Sequence, residues 1–145
     1  MMKDMAMTGL ARWYAYIKSH DSKALRDLLH PDAVFESPVV HTPQRGRDIT
    51  FKYLASAEKV LGGPGFVYRG EWRSENGAVL EFEREIDGIT INGVDIIAFD
   101  AEGRITHFKV MVRPLKAINL LHRLMGEELA RQSTENRPAE LKAPR

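Results

Sequence analysis

The sequence contains no cysteine among its 145 residues. Disulfide scaffolds, thiol nucleophiles, iron–sulfur clusters and cysteine-based zinc sites are therefore excluded. No apolar run reaches the roughly 18 residues that a membrane-spanning helix needs, and no membrane partner is expected. An excess of one charge is missing too, because 21 lysines and arginines oppose 20 aspartates and glutamates. A nearly neutral chain lacks a phosphate-binding face, so nucleic acid is not expected as a partner.

The composition that remains is typical of one globular domain, with 43% hydrophobic and 28% charged residues. We assign this domain to residues 1–130. Residues 131–145 are polar and include Pro138 and Pro144, so they are predicted to form a disordered tail. The first residues, Met1 to Asp4, do not resemble a secretory signal, and a cytoplasmic location is predicted.

Apolar residues at helical spacing predict four helices. They cover Met7–His20, a segment from Asp21 or Ser22 to Pro31, Arg47–Leu61, and a final helix from Pro114 to Ala130. A short strand, Ala33–Ser37, and a loop, Val39–Gly46, are predicted between the second and third helices.

The period of the apolar pattern changes to two after the third helix, which predicts four strands. They cover Phe66–Ser74, Ala78–Ile86, Ile89–Asp100 and Arg104–Arg113. Short turns containing glycine separate them, so neighbouring strands must be antiparallel. Helices packed on one face of a curved, mostly antiparallel sheet give an α+β cone with a central cavity, where a small apolar molecule could bind.

Metal and nucleotide sites are not predicted. The five histidines show no short ligand spacing such as His-x-x-x-His. The glycine-rich string Gly62–Gly65 follows a helix and precedes a strand, which is the reverse of a phosphate-binding loop. We therefore expect neither a metal nor another cofactor.

Several local strings occur in the same order as the predicted elements. They are Asp21, the segment His30–Val39, Gly46 with Ile49 and Tyr53-Leu54, and the hairpin Asp95–Ile105. In these features the chain resembles the SnoaL-like branch of the nuclear transport factor 2 (NTF2) superfamily, whose cone fold is shared with ketosteroid isomerase and polyketide cyclase-like proteins. The resemblance covers about residues 7–113 and implies the fold more specifically than the activity, because the superfamily includes isomerases, cyclases, hydrolases, dehydratases and non-catalytic binders.

The resemblance also assigns roles to single positions. The general base of the isomerase falls on Ser37, and a serine cannot shuttle that proton. The first oxyanion donor, a tyrosine, falls on Trp13, whose indole N–H can donate but cannot act as an acid. The second donor, a protonated carboxylic acid, falls on Asp95. In members that resemble limonene-epoxide hydrolase, an arginine precedes the aspartate by two residues, and here Gly93 stands there.

Asp95 is the candidate catalytic residue, because it interrupts an apolar row on its strand and burying it ionised without a partner would be costly. It either faces a ligand or is a structural aspartate bonded to a backbone amide or a tyrosine. The candidate ligand-binding residues are Trp13, Tyr16, Phe35, Ser37, His41 and Phe108. The aromatic members could instead be ordinary core, and His41 a solvated loop residue.

Three charged or titratable residues near these candidates have other interpretations. A regular hairpin places Leu80 opposite Asp95 and Arg84 opposite Ile91. We favour a twist at the strand end that leaves Arg84 in solvent over an approach to Asp95. His107 and Lys109 are predicted on the outer sheet face.

Three functions remain open. The first is an acid–base isomerase, cyclase or hydratase acting through Asp95 on an apolar ligand that carries a carbonyl group. The second is a non-catalytic homodimer that binds a small apolar molecule, and the third is an oligomerisation module with a vestigial cavity.

Overall fold

The computed structural model describes the backbone of residues 2–135 and the side chains of residues 8–133. The elements are α1 (Met2–Ser19), α2 (Ser22–Leu28), β1 (Leu29–Glu36), β2 (Gln44–Arg45), α3 (Arg47–Leu61), β3 (Val67–Ser74), β4 (Gly77–Ile86), β5 (Ile89–Phe99), β6 (Ile105–Arg113) and α4 (Leu115–Glu135). The predicted α+β class and the four long strands are confirmed.

The strands form one open sheet in the order β2-β1-β6-β5-β4-β3. β1 and β6 are parallel, and the other neighbours are antiparallel. Asp87 and Gly88 join β4 to β5 with positive φ angles of 53° and 77°, as a tight hairpin turn requires. The turn sets Leu80 opposite Asp95, which is the predicted register.

Two differences from the prediction arise in the segment between α2 and α3. The second helix ends at Leu28, because Leu29 adopts an extended conformation and begins β1. Pro31 lies inside this strand, where it cannot donate to the ladder, and the pairing with β6 is interrupted between Leu29 and Val34. The predicted loop Val39–Gly46 also contains the two-residue strand β2.

The last helix continues past the predicted end at Ala130 and reaches Glu135. Gln132 fixes this extra turn, since its side-chain amide donates a hydrogen bond of 2.9 Å to Ser56 Oγ on α3. The start of the predicted tail at Arg131 is therefore wrong. The remainder of that tail, residues 136–145, lies outside the described residues.

Two groups of buried side chains hold the helices against one face of the sheet. The larger group joins α1, α2 and β1 to β4, β5 and β6, and includes Leu25, Leu80 and Phe108. The smaller group joins α4 to Phe82 of β4 and Ile91 of β5. Within residues 2–135, no helix is long and apolar enough to cross a membrane.

Candidate active site

A pocket of about 520 Å³ lies between the helices and the inner sheet face. We call it the central pocket. The sheet supplies one wall, which includes Phe35, Tyr68, Phe82, Asp95, Phe108 and Val110, and Ser37 follows directly after β1. The helices supply the other wall, which includes Trp13, Ile17, Tyr53, Leu54, Leu61, Leu121, Met125 and Leu129. Most of this surface is apolar, so a ligand that fits it must itself be largely apolar.

Asp95 lies on the sheet wall in a row with Leu80 of β4 and Val110 of β6. It is buried, with 6% of its surface exposed. Tyr68 Oη donates a hydrogen bond of 2.6 Å to Asp95 Oδ2. Asp95 is therefore bonded to a tyrosine, as one interpretation predicted, and it also lines the central pocket.

Burial raises the pKa of Asp95 to about 7, and the hydrogen bond from Tyr68 opposes that rise. Tyr68 has a pKa well above its usual value because of its own burial and the nearby Asp95 charge, so it keeps its proton and remains a donor. A carboxyl with a pKa near neutrality can take up or release a proton at ordinary working pH, as a general acid or base must.

A third residue fixes the direction of this hydrogen-bond chain. Trp13 Nε1 donates to Tyr68 Oη across 3.0 Å. An indole can only donate, so the Tyr68 oxygen is the acceptor and the single hydroxyl proton of Tyr68 is directed to Asp95. Trp13 does line the pocket as predicted, but its polar group is engaged by Tyr68.

Ser37 lies at the start of the turn that follows β1. Its Oγ accepts hydrogen bonds from the backbone N–H groups of Val39 at 3.0 Å and Val40 at 3.3 Å. These bonds fold the chain back after Pro38, and they hold the serine side chain at the pocket wall.

The structure brings five of the predicted site residues to the central pocket: Trp13, Phe35, Ser37, Asp95 and Phe108. It places Tyr16 in the main core beside Trp13, with ring centroids 5.5 Å apart, where the ring packs behind the pocket wall. His41 lines a different depression, which it shares with Glu36 and Lys109. The loop residues Ser37–Val40 line both the central pocket and this depression, and His41, the next residue, lines the depression alone.

Sequence reasoning missed Tyr68, the hydrogen-bond partner of Asp95. Its position two residues after Phe66 in a predicted strand was the available signal, because alternate residues share a sheet face. It also missed a polar group on the helix side of the pocket, formed by Lys18, His20, Glu58 and His122. His20, the residue after α1, contacts the Glu58 carboxyl group of α3 there.

The prediction that Arg84 is solvated is wrong. Its Nε atom is buried and has no hydrogen-bond partner in the described part of the chain. The guanidinium packs against Gly65, where an added Cβ would lie 1.8 Å from Nη1. β4 is regular at this point, so Arg84 stays on the inner side opposite Ile91, and its guanidinium packs against the turn that contains Gly65.

The arginine that precedes the aspartate by two residues in the hydrolase-like members would not fit at Gly93 of this chain. A Cβ at Gly93 would lie 2.5 Å from both the Met111 carbonyl oxygen and the Phe82 ring. Phe82 therefore fills the space beside Gly93. Among the described residues, no three histidine, aspartate or glutamate side chains are grouped to hold a metal ion.

Comparison with known proteins places the chain in a family. The model of the SnoaL-like domain matches residues 10–108. This chain belongs to the SnoaL-like family. The SnoaL-like match includes α2, α3 and most of the sheet, together with Asp95, Tyr68 and Trp13, but it stops before α4. No relative is found among the curated proteins.

Solved structures resemble this SnoaL-like protein over most of its length. A steroid delta-isomerase from Pseudomonas aeruginosa is 37% identical, with a TM-score of 0.83, over 88% of this chain and 93% of that one. A conserved bacterial protein with a cystatin-like fold from Silicibacter pomeroyi is 26% identical, with a TM-score of 0.76, over 84% and 85%. SalBIII, an epoxide hydrolase/cyclase-like enzyme of pyran ring formation in salinomycin, is 16% identical with a TM-score of 0.63, over 79% and 96%, and supports the fold alone.

Proposed function

We propose that this SnoaL-like protein is an acid–base isomerase that acts on a largely apolar ketone, with Asp95 as the group that moves the proton. The observation that carries the proposal is one buried carboxyl on the wall of an apolar pocket, with a pKa of about 7 and a tyrosine holding one of its oxygens. The similarity to a steroid delta-isomerase supports a ring ketone with a neighbouring double bond as the substrate class.

The step we propose needs no additional reactant. The ionised Asp95 takes a proton from the carbon between the carbonyl group and the double bond, and the electron pair moves onto the carbonyl oxygen as a dienolate. The carboxyl then returns the proton to the far carbon of the former double bond, which yields the conjugated ketone. Tyr68 holds Oδ2, so Oδ1 is the oxygen available for transfer.

The apolar surroundings favour this role because they raise the proton affinity of the carboxylate and exclude water that would compete for it. Rotation of Asp95 is restricted by the Trp13–Tyr68 chain, which orients the base before a substrate arrives. General acid–base catalysis of this kind contributes about 10²- to 10⁴-fold to a rate.

A steroidal β,γ-unsaturated ketone is the test substrate, because its conversion to the conjugated ketone increases ultraviolet absorption. We expect Asp95→Asn to lower kcat by at least about 100-fold. Asp87→Asn is the matched control, since it removes an exposed carboxylate in the β4–β5 turn. The wild-type rate should rise with pH, reach half its maximum near pH 7 and then level off as ionisation of Asp95 is completed.

Ser37 favours a second candidate, a non-catalytic protein that binds small apolar molecules. A serine stands where the resemblance to ketosteroid isomerase expects the base, so Asp95 is the single carboxyl group on the sheet wall of the pocket, and Glu58 lies on the helix side. Steroid binding without turnover, with the same affinity in wild type and Asp95→Asn, would support this alternative and contradict the isomerase.

We also propose that the protein is a homodimer that pairs through its outer sheet face. The β3–β4 pairing shifts register between Tyr68 and Gly70, so Tyr68 faces inward while Trp72 faces outward. Trp72 is 59% exposed and Met111 is 52% exposed. Val79 and Ile96 lie between them, which makes an apolar surface that a partner could cover.

Light scattering at micromolar concentration should give the mass of two chains. Trp72→Glu should shift the protein toward monomer, because it places a charge inside the paired surface. Leu115→Glu is the matched control, since Leu115 is exposed but lies on α4 instead of on a strand. A wild-type monomer under these conditions would disprove the dimer.

A further inference from the structure

We propose that Ser37 donates the hydrogen bond that polarises the substrate carbonyl, while Asp95, two strands away on the same wall of the pocket, acts as the base. This inference rests on the proposed function, and it adds what that function still lacks, a donor for the oxygen on which negative charge develops. It also orients the substrate, a ketone whose oxygen faces Ser37 while the carbons that lose and gain the proton face Asp95.

The hydrogen-bond count at Ser37 leads to this role. A hydroxyl has one proton to donate and two lone pairs that accept. The N–H groups of Val39 and Val40 use both acceptor positions. The hydroxyl proton has no acceptor in the hydrogen bonds of the described residues, and Ser37 lines the central pocket. The proton is therefore free for a ligand, and the two incoming N–H groups polarise the hydroxyl and strengthen it as a donor.

The two polar groups bonded in a chain to Asp95 have no proton left for a ligand. The Trp13 N–H is used by Tyr68, and the Tyr68 proton is used by Asp95. Tyr53 also lines the pocket, but it lies on α3, where its ring stacks on Phe35 with centroids 5.6 Å apart. Of the two hydroxyl groups on the sheet side of the pocket, Tyr68 and Ser37, only Ser37 has a proton that no described residue accepts.

The strand register places Ser37 at the level of Asp95. Glu36 of β1 pairs with Lys109 of β6, so the next residue, Ser37, comes level with Val110. Val110 in turn pairs with Asp95 on β5. Two strand spacings separate the serine and aspartate backbones, which is roughly 10 Å. Side chains reaching inward from both leave room between Oγ and Oδ1 for a carbonyl group and the carbons conjugated to it.

The experiment measures the bound carbonyl directly and does not require turnover. An apolar ring ketone labelled with carbon-13 at the carbonyl is bound to the full chain, and its resonance is recorded for wild type, Ser37→Ala and Ser37→Thr. We expect a downfield shift in wild type, its loss in Ser37→Ala and its return in Ser37→Thr, which keeps the hydroxyl. In turnover, Ser37→Ala should lower kcat about 100-fold with a smaller change in KM, as for loss of an oxyanion donor.

A purely structural role for Ser37 is tested by Ser19→Ala. Ser19 Oγ likewise accepts a backbone N–H bond, from Asp21 at 3.1 Å, but Ser19 does not line the pocket. If Ser37 only folds its turn, both alanine variants should lower the melting temperature and leave the carbonyl resonance unchanged. Tyr53→Phe tests the rival hydroxyl, and a resonance that responds to this change instead of Ser37→Ala would overturn the proposal.

The two proposals fail in different ways. Turnover that needs Asp95 but is unaffected in Ser37→Ala leaves the isomerase standing and overturns the role of Ser37. A carbonyl resonance that responds to Ser37→Ala in a protein without turnover supports the hydrogen bond and overturns the isomerase. A wild-type protein that does not bind the labelled ketone overturns both.

Discussion

Asp95→Asn should stabilise the protein at pH 8 and have little effect below pH 4. Burial raises the pKa of Asp95 from 3.8 to about 7 in the folded state. The folded chain thus binds this proton more tightly, so the contribution to stability is complete below the unfolded pKa and is lost as pH rises through the folded one. Because one pKa unit corresponds to about 1.4 kcal/mol, ionised Asp95 lowers the free energy of unfolding by up to about 4 kcal/mol.

Asparagine removes this cost because it cannot ionise, and its amide oxygen can still accept the Tyr68 hydrogen bond. Urea unfolding at pH 4 and pH 8 measures the difference. Asp100→Asn, at the end of the same hairpin, should show the opposite sign. Burial raises the pKa of Asp100, but hydrogen bonds from the Arg104 and Glu102 backbone and from the Arg104 side chain outweigh it, so the net pKa is lowered.

The Asp100 carboxylate therefore stabilises the fold at neutral pH, and this contribution is lost as pH falls through its folded pKa.

An Asp95→Asn protein that is strongly destabilised at pH 8 would mean that Asp95 is held ionised by a favourable partner. That result would contradict burial as the cause of the raised pKa of Asp95.

Deletion of α4 after Pro114 should abolish folding. The deletion removes Leu120 and Leu121 and uncovers Phe82 and Ile91, all of which are buried. Burial of such a side chain stabilises a protein by about 1.5–3 kcal/mol, so these four account for roughly 6–12 kcal/mol. This range is comparable to the entire stability of a typical domain, about 5–15 kcal/mol.

Deletion after Gln132 is the matched control, because it keeps the apolar side of α4 and the hydrogen bond to Ser56. Circular dichroism should show a melting temperature close to that of the full chain for the shorter deletion. The longer deletion should show no cooperative transition and should aggregate. Equal melting of the two deletions would mean that α4 contributes little to the fold.

The sheet could be predicted largely from local signals. The Asp87-Gly88 turn determines the β4–β5 register by itself, and the alternation along β5 marks Asp95 as facing inward. The length of α2 could not be predicted in this way, because the apolar pattern before Pro31 is compatible with either helix or strand at Leu29. Pairing of β1 with the distant β6 decides between them.

The candidate site was predictable only where one strand carries the signal. Asp95 stands out along its own strand and Ser37 was indicated by the resemblance, whereas the Tyr68–Asp95 bond joins residues 27 positions apart. Arg84 shows the same limit. Its inward direction follows from alternation, but its burial depends on contact with Gly65 in a turn outside the strand, and the spacing of residues on β4 contains no information about that turn.

The shape of the central pocket depends partly on α4, whereas the hydrogen-bond chain around Asp95 lies on other elements. The family model ends at residue 108, yet α4 closes one side of the pocket with Leu121, Met125, Gly126 and Leu129. A Cβ added at Gly126 would meet no atom within 4 Å. Mutations along this helix can therefore change the shape of the central pocket while Asp95 and its partners Tyr68 and Trp13 stay unchanged.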